Sequence, residues 1–329
     1  MDFIEDYSRG IKTRSWFRDE ILHRDEDLPA IIKYNSEDKP VEMYWYQHGE
    51  IHRDGDEPAK IKSDNDGSLI LKSWYRHGEL HRDGDKPSLI HFKKGDGMPN
   101  FYFHQNGKLH RDGNEPAVIT FNGSLLCQAW YRDGKLHREH GYARRLIECD
   151  FIQEEWLVDG KFSRENDLPV SVEYRTNGTR LEAWYGDSAI LYGSEDRSPL
   201  ERSSAETEVR RSRGDLPTAI GYRQDGSVSF KRWCRNKTLH RENLPAFIKF
   251  DRDGTILKEE YYTNGQKVRK VFTAKEIGCV GEVCPISRDV FEENDKVIRL
   301  KCNHIFREVE INTWLDDHNT CPSCRSEVE

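Results

Sequence analysis

Long apolar runs are missing from this 329-residue chain, in which 35% of residues are hydrophobic and 33% charged. No stretch reaches the roughly 20 consecutive apolar residues of a membrane-spanning helix. The segment Met1 to Gly10 is acidic and has no apolar run, so no secretory signal is expected there. An excess of positive charge is missing too: the formal net charge is −8. Residues 275–329 hold 12 Asp/Glu and 7 Lys/Arg, a balance of −5. That balance argues against a broad phosphate-binding surface, which needs clustered Lys and Arg, and against a polybasic membrane contact. Neither nucleic acid nor a membrane is therefore expected as a partner. A disulfide framework is also absent, because Cys127, Cys149 and Cys234 are scattered while Cys279, Cys284, Cys302, Cys321 and Cys324 crowd the C-terminus. Without a secretory context, such crowding points to a metal site in a reducing, cytoplasmic compartment. The apolar content is thin for one large core but fits a repeat array, whose units contact only their neighbours.

Internal repetition fills residues 1–270. His-Arg pairs fall at His23-Arg24, His52-Arg53, His81-Arg82, His110-Arg111, His137-Arg138 and His240-Arg241, the first four 29 residues apart. An aromatic column precedes them at Trp16, Trp45, Trp74, Phe103, Trp130, Trp156, Trp184, Trp233 and Tyr261. A proline column follows at Pro29, Pro58, Pro87, Pro116, Pro169, Pro217 and Pro245. After each proline the chain alternates with period two, as in Ala30, Ile32, Tyr34 and Ala246, Ile248, Phe250, which predicts a strand with one buried face. Turns such as Asp66-Gly67, Asp96-Gly97 and Asp253-Gly254 predict hairpins, with the tryptophan on the second strand. His48-Gly49 or Asp133-Gly134 then leads into the His-Arg pair. Each unit is thus predicted to be a β-hairpin plus a short extended piece, stacked in single file. The 49-residue gap between Trp184 and Trp233 predicts an inserted loop at about 188–210.

The pattern Trp-Tyr-x-x-Gly-x-Leu-His-Arg resembles the MORN-like repeats of proteins from large amoeba-infecting viruses. The resemblance implies a mainly β fold, a single-file β-hairpin solenoid, and a viral origin that would place the protein in the host cytoplasm. It weakens at Ser163-Arg164, where the histidine is lost.

Two motifs within the repeats invite other readings. His-Arg-Asp recurs at 23–25, 52–54, 81–83 and 110–112, but at repeat period and without the partners of a kinase catalytic loop. A histidine column without convergent second ligands makes a poor metal site. The expected role is structural, each His bonding a neighbouring turn and each Arg an Asp. Asp-Gly-Asp at 54–56 and 83–85 lacks the rest of a calcium loop and is expected to be turn chemistry.

The C-terminal segment differs in kind. Cys302-x-His304 and Cys321-x-x-Cys324 offer three thiolates and one imidazole at chelate spacing, a set suited to tetrahedral zinc. With Cys284-Pro-Ile-Ser287, Trp314 and Arg325, this segment resembles a RING finger. Residues 271–278 are expected to link it to the repeats, and residues 279–329 to form a small ββα module. A RING has eight ligand positions in two interleaved sites. Cys302, His304, Cys321 and Cys324 complete one of them. In the other only Cys284 remains, with Ser287, Arg307 and Glu310 in place of ligands, as in the SP-RING and U-box variants, where polar contacts replace metal. Guanidinium offers no lone pair, so one zinc ion is expected. Arg307 and Glu310 sit three apart on a helix predicted at about 307–317, a spacing that allows a side-chain pair. Cys279 is expected to be a plain buried or free thiol, the alternative being a replacement ligand with Cys284.

The resemblance implies catalysis by positioning: such a finger binds a ubiquitin-conjugating enzyme and orients its ubiquitin for attack by a substrate lysine. The family's contact positions carry Ile286, Trp314 and Pro322, a small apolar surface for the conjugating enzyme. Arg325 matches the residue that bonds ubiquitin and that enzyme together. The expected function is ubiquitin ligation with the repeats binding a protein substrate. The alternative is a non-enzymatic scaffold with a structural finger.

Overall fold

The computed structural model describes residues 2–8, 10–95, 97–165, 168–184, 216–235 and 238–328. The inserted loop expected at about 188–210 lies outside them, as does Asp96. The chain divides into two compact units, residues 1–208 and 209–329. Among the described residues it is mainly β with two short helices, and no helix is long and apolar enough to cross a membrane.

In the first unit, strand β1 (Asp2–Ser8) pairs antiparallel with β2 (Ile11–Arg18). From β2 the ladder continues through Ile31–Tyr34, Pro40–Tyr44, Lys60–Ser63, Leu69–Ser73 and Leu89–His91. It then runs through Asn100–Tyr102, Val118–Asn122, Leu125–Ala129, Arg144–Ile147, Phe151–Glu155, Ser171–Arg175 and Arg180–Ala183. Every neighbouring pair is antiparallel, because every connection is local. The expected single-file solenoid of self-contained hairpins is not what is observed. Each long strand also bonds the next repeat, so the hairpins merge into one meander. The second unit opens with a shorter meander of the same kind, from Ala219–Tyr222 to Gln266–Val268.

The repeat departs from expectation in two further details. Trp45 and Trp74 stand in the one-residue breaks after Pro40–Tyr44 and Leu69–Ser73, not inside a strand. There the Trp74 N–H donates to Ser88 O at 2.8 Å while its C=O accepts from His81 N–H at 3.1 Å. The short extended piece is itself half of a second, smaller hairpin, such as Tyr75–Arg76 on Glu79–Leu80. Its turn residues His77 and Gly78 have φ of +48° and +79°, both left-handed, as a type I′ turn demands. The hairpin of Lys60–Ser63 and Leu69–Ser73 turns differently: Asp64 Oδ1 accepts from the N–H groups of Asp66 and Ser68, a side-chain-capped turn.

The recurring His and Arg columns act between repeats. His52 Nδ1 accepts the N–H of His77 at 3.1 Å, and His81 Nδ1 accepts that of Asn106 at 3.2 Å. The other ring nitrogens of His52 and His81 each face an Asp two residues on, Asp54 and Asp83. Arg82 lies 3.7 Å above the Trp74 ring, bonds Pro87 O and reaches Asp56 of the preceding repeat at 2.7 Å. Arg82 and then Lys86 hold the Asp56 carboxyl down to about 2. This is the structural role expected for the His-Arg pairs. Trp74 itself is 6% exposed, and its Nε1–H donates to Asp56 O at 3.0 Å. Trp74→Ala removes the ring, the seat of Arg82 and a tie to the preceding repeat. Chemical denaturation of the full chain should show a loss of about 3–5 kcal/mol.

Candidate metal centre and partner surface

The C-terminal module begins earlier than the sequence suggested. Residues 271–278 are not a linker: Phe272–Thr273 forms a strand on Lys296–Arg299, which pairs in turn with Ile305–Arg307. Helix α1 (Ala274–Ile277) follows at once. Thr273 Oγ1 accepts Glu276 N–H at 3.2 Å and Glu276 Oε2 accepts Thr273 N–H at 2.7 Å, a reciprocal cap. Val271, Phe272 and Ile277 pack on the module's core of Phe291, Val297, Ile298, Phe306 and Ile311. Cys279 is 1% exposed within the same cluster, where burial pushes its thiol up. That fits a plain buried thiol.

Helix α2 (Glu308–Asp317) closes the module and buries its own Ile311 in the core. Trp314 Nε1–H donates to Thr320 O at 2.9 Å and fastens the helix to the turn that carries Cys321. In the turn between the strands Lys296–Arg299 and Ile305–Arg307, Asn303 takes a φ of +66° and its N–H donates to Leu300 O, so Cys302 and His304 point the same way. The second turn is closed by Arg325 N–H on Cys321 O at 2.8 Å and Cys321 N–H on Ser326 O at 2.8 Å.

These turns bring Cys302, His304, Cys321 and Cys324 together, with one ligand atom of each within 4.8 Å of all the others. His304 Nδ1 lies 3.4 Å from Cys302 Sγ. Tetrahedral zinc with bonds of about 2.3 Å to sulfur needs sulfurs roughly 3.8 Å apart. Three thiols and an imidazole at this spacing fit such an ion in donor type and number. Hydrogen bonding from Ser326, side chain first, draws the Cys324 thiol down to about 6, toward the thiolate a metal requires. It is the only such cluster among the described residues.

The other half of the module keeps the turn without the ligands. Arg288 N–H donates to Cys284 O at 2.9 Å, matching Arg325 on Cys321, and Arg288 and Arg325 share a left-handed φ of +68° and +62°. Cys284 is fully buried. Burial pushes its thiol up, but hydrogen bonds from the Arg307, Ser287 and Ile286 backbone and the Ser287 side chain outweigh it and hold the thiol below its ordinary value. The expected Arg307–Glu310 pair does not form. Arg307 instead reaches Asp289 at 3.1 Å, Asp295 at 2.8 Å and Val290 O at 2.9 Å, and Glu310 acts on it through charge alone. The Glu292 N–H first and Arg307 second hold the Asp295 carboxyl below its usual range. A guanidinium thus ties the loop segments around Asp289–Val290 and Asp295 to the start of α2. Asp289 and Asp295 were missed because they sit in a loop, where spacing carries no contact rule. Arg307→Met should lower the melting temperature of the module at unchanged zinc content. Conversely, Ser287→Cys, Arg307→His and Glu310→Cys together complete a ligand set with Cys284, and elemental analysis should then find two zinc ions in place of one.

The four residues expected to meet a partner all lie in this module. Ile286 sits on the first turn and Trp314 on α2, both half-buried against the core. Pro322 is half-buried and Arg325 exposed, on the second turn. His318 stacks on Trp314 at 4.1 Å and 11°, a neighbour the sequence reading did not single out.

Residues 282–325 match the Ring finger domain family. The C-terminal module is a RING-H2-type zinc finger. It is 41% identical over 54 residues to the human E3 ubiquitin-protein ligase RNF128, an overlap of 16% of this chain and 13% of that protein. It is 42% identical over 45 residues to the probable E3 ubiquitin-protein ligase RHC1A of Arabidopsis thaliana, 14% of each chain. It is 36% identical over 56 residues to human E3 ubiquitin-protein ligase RNF126, 17% of this chain and 18% of that one. The chain thus spans less than a fifth of each of these relatives, and the similarity stops at the finger.

Proposed function

We propose that this chain is a RING-type ubiquitin-protein ligase whose finger recruits a ubiquitin-conjugating enzyme and whose repeats bind the protein substrate. The observation that carries this reading is the joint presence of a complete Cys302, His304, Cys321, Cys324 quartet and similarity to ubiquitin ligases over the surrounding residues. One zinc ion in that quartet would neutralise the thiolates and lock the two turns together. Ile286, Trp314 and Pro322 would then offer a fixed apolar contact to the conjugating enzyme. Arg325, exposed on the second turn, would hold ubiquitin against that enzyme and restrict the thioester to a reactive orientation. No residue of this chain needs to act as nucleophile or base. The repeats we read as MORN-like, of viral origin and working in the host cytoplasm.

A scaffold with a structural finger is the second reading, and the three non-ligands Ser287, Arg307 and Glu310 favour it. Discharge of ubiquitin from a panel of loaded conjugating enzymes separates the two. The full chain should accelerate discharge from at least one enzyme, and no acceleration from any would leave the scaffold.

A further inference from the structure

Among the described residues, β1 is the outermost strand of the first unit and pairs on one side only, with β2. Its open side can be worked out from the ladder. Trp16 of β2 turns its N–H to Ala30 and its C=O to His23, both away from β1. Backbone direction alternates along a strand, so Ser15 faces β1, opposite Ile4. By the same alternation Phe3, Glu5 and Tyr7 turn their N–H and C=O groups outward, an unpaired row of donors and acceptors.

Natural sheets blunt such edges with charged side chains, proline, a bulge or a very short strand. The sequence Asp-Phe-Ile-Glu-Asp-Tyr-Ser over 2–8 is seven residues long and has no proline and no lysine, so acidic charge is its only guard. Its apolar side chains are also open: Phe3 is 50% exposed, Ile4 56% and Tyr7 68%. Along the strand acidic residues are interleaved with these, and no basic residue occurs within it. Arg14 holds Glu5 at 2.7 Å on one face, and Asp6 is exposed on the other.

The charge decides what can lie there. A second copy in the full-length antiparallel register would set Glu5 against Glu5, and like charges directly opposite are destabilising. A strand with Lys or Arg alternating with apolar residues meets no such cost. With its basic residues on the face of Asp6, it would supply charge opposite Asp6 and lay its apolar positions on the other face, against Phe3 and Tyr7. We propose that the free edge of β1 takes up an extended basic segment of another protein, which adds to the sheet as a further strand. This rests on β1 and the strand pairing around it and is independent of the ligase reading.

The probe is a labelled synthetic peptide, Thr-Lys-Val-Lys-Val-Lys-Thr with blocked ends, titrated with the full chain by fluorescence anisotropy. It should bind at least about tenfold more tightly than its counterpart with Glu for Lys. Methylating alternate peptide nitrogens should abolish binding for the set that faces β1 and spare it for the other set. Asp6→Lys should weaken binding about tenfold. Tyr7→Pro should also weaken it, because it removes an outward donor but no bond to β2. The peptide arms need no variant to fold, so they decide the matter if either substitution fails. Equal binding of the Lys and Glu peptides, or indifference to methylation, would overturn the proposal. So would a wild-type dimer in sedimentation that Tyr7→Pro dissociates, which would assign the edge to a second copy.

Discussion

Zinc removal is expected to unfold residues 271–328 while the meander of residues 2–184 keeps its β-structure. The module's apolar core is small, and two of its buried members, Cys284 and Cys321, are cysteines of the two turns. Without metal, the thiols and imidazole of the quartet crowd one point with no partner strong enough to hold them. Structural zinc contributes on the order of 10–16 kcal/mol to folding in small finger peptides at pH 7, more than a core of this size would replace. Cys321→Ser should act like a chelator, because it removes one of four ligands at a fully buried position. The measurement is paired: elemental zinc, and hydrogen exchange read separately over the two regions. The metal content should fall from one ion per chain to none, with exchange protection lost only in 271–328. Two ions in the wild type would overturn this count and place metal near Cys284. Acid should act in the same order. Protons compete with zinc for its ligands, so metal leaves first. The Arg307–Asp295 bridge depends on a carboxyl held below its ordinary value. Its contribution is therefore present above that ordinary value and lost as pH falls through the lowered one.

What the sequence disclosed, and what it hid, follows from how local each interaction is. A turn at His48-Gly49 and its equivalents was legible from the glycine, but the small type I′ hairpin it closes was not, because its strands are only two residues long. The grouping of Cys302, His304, Cys321 and Cys324 was legible because chelation would fix ligand spacing within each turn. Trp74 was misplaced by one step: period two runs up to it, and only the hydrogen bonds to Ser88 and His81 show that the strand has ended. The merging of hairpins into a meander was also hidden, since alternation says which face is buried but not which edge is paired. Arg307 was read toward Glu310 because helical spacing is the one contact rule a sequence offers there. Its actual partners, Asp289 and Asp295, come from a loop that only the folded module brings near. The start of the module, by contrast, carries a local signal, since Thr273-x-x-Glu276 is a helix-start pattern.

Ile286→Ala and Arg325→Ala are both expected to abolish ubiquitin transfer while leaving zinc content and folding unchanged, and they should do so for different reasons. Ile286 is half-buried at the edge of the core, so truncation trims an apolar contact surface and not the core itself. Its loss should weaken association with the conjugating enzyme, seen as a raised Kd for the unloaded enzyme. Arg325 is exposed and holds its turn through its backbone N–H, which alanine keeps. Its φ of +62° makes alanine mildly strained there, and Arg325→Gly is the control that relieves the strain. Loss of the guanidinium should leave the Kd for unloaded enzyme near its wild-type value and slow discharge of loaded enzyme. An interaction made only in the reactive arrangement raises the rate without raising ground-state affinity, and a contact made in both states does the reverse. Binding by calorimetry and single-turnover discharge on the same proteins read the two effects separately. A scaffold with a structural finger would show neither. Arg325→Ala as active as wild type would remove the orienting role, and a wild type that discharges no enzyme would remove the ligase mechanism altogether.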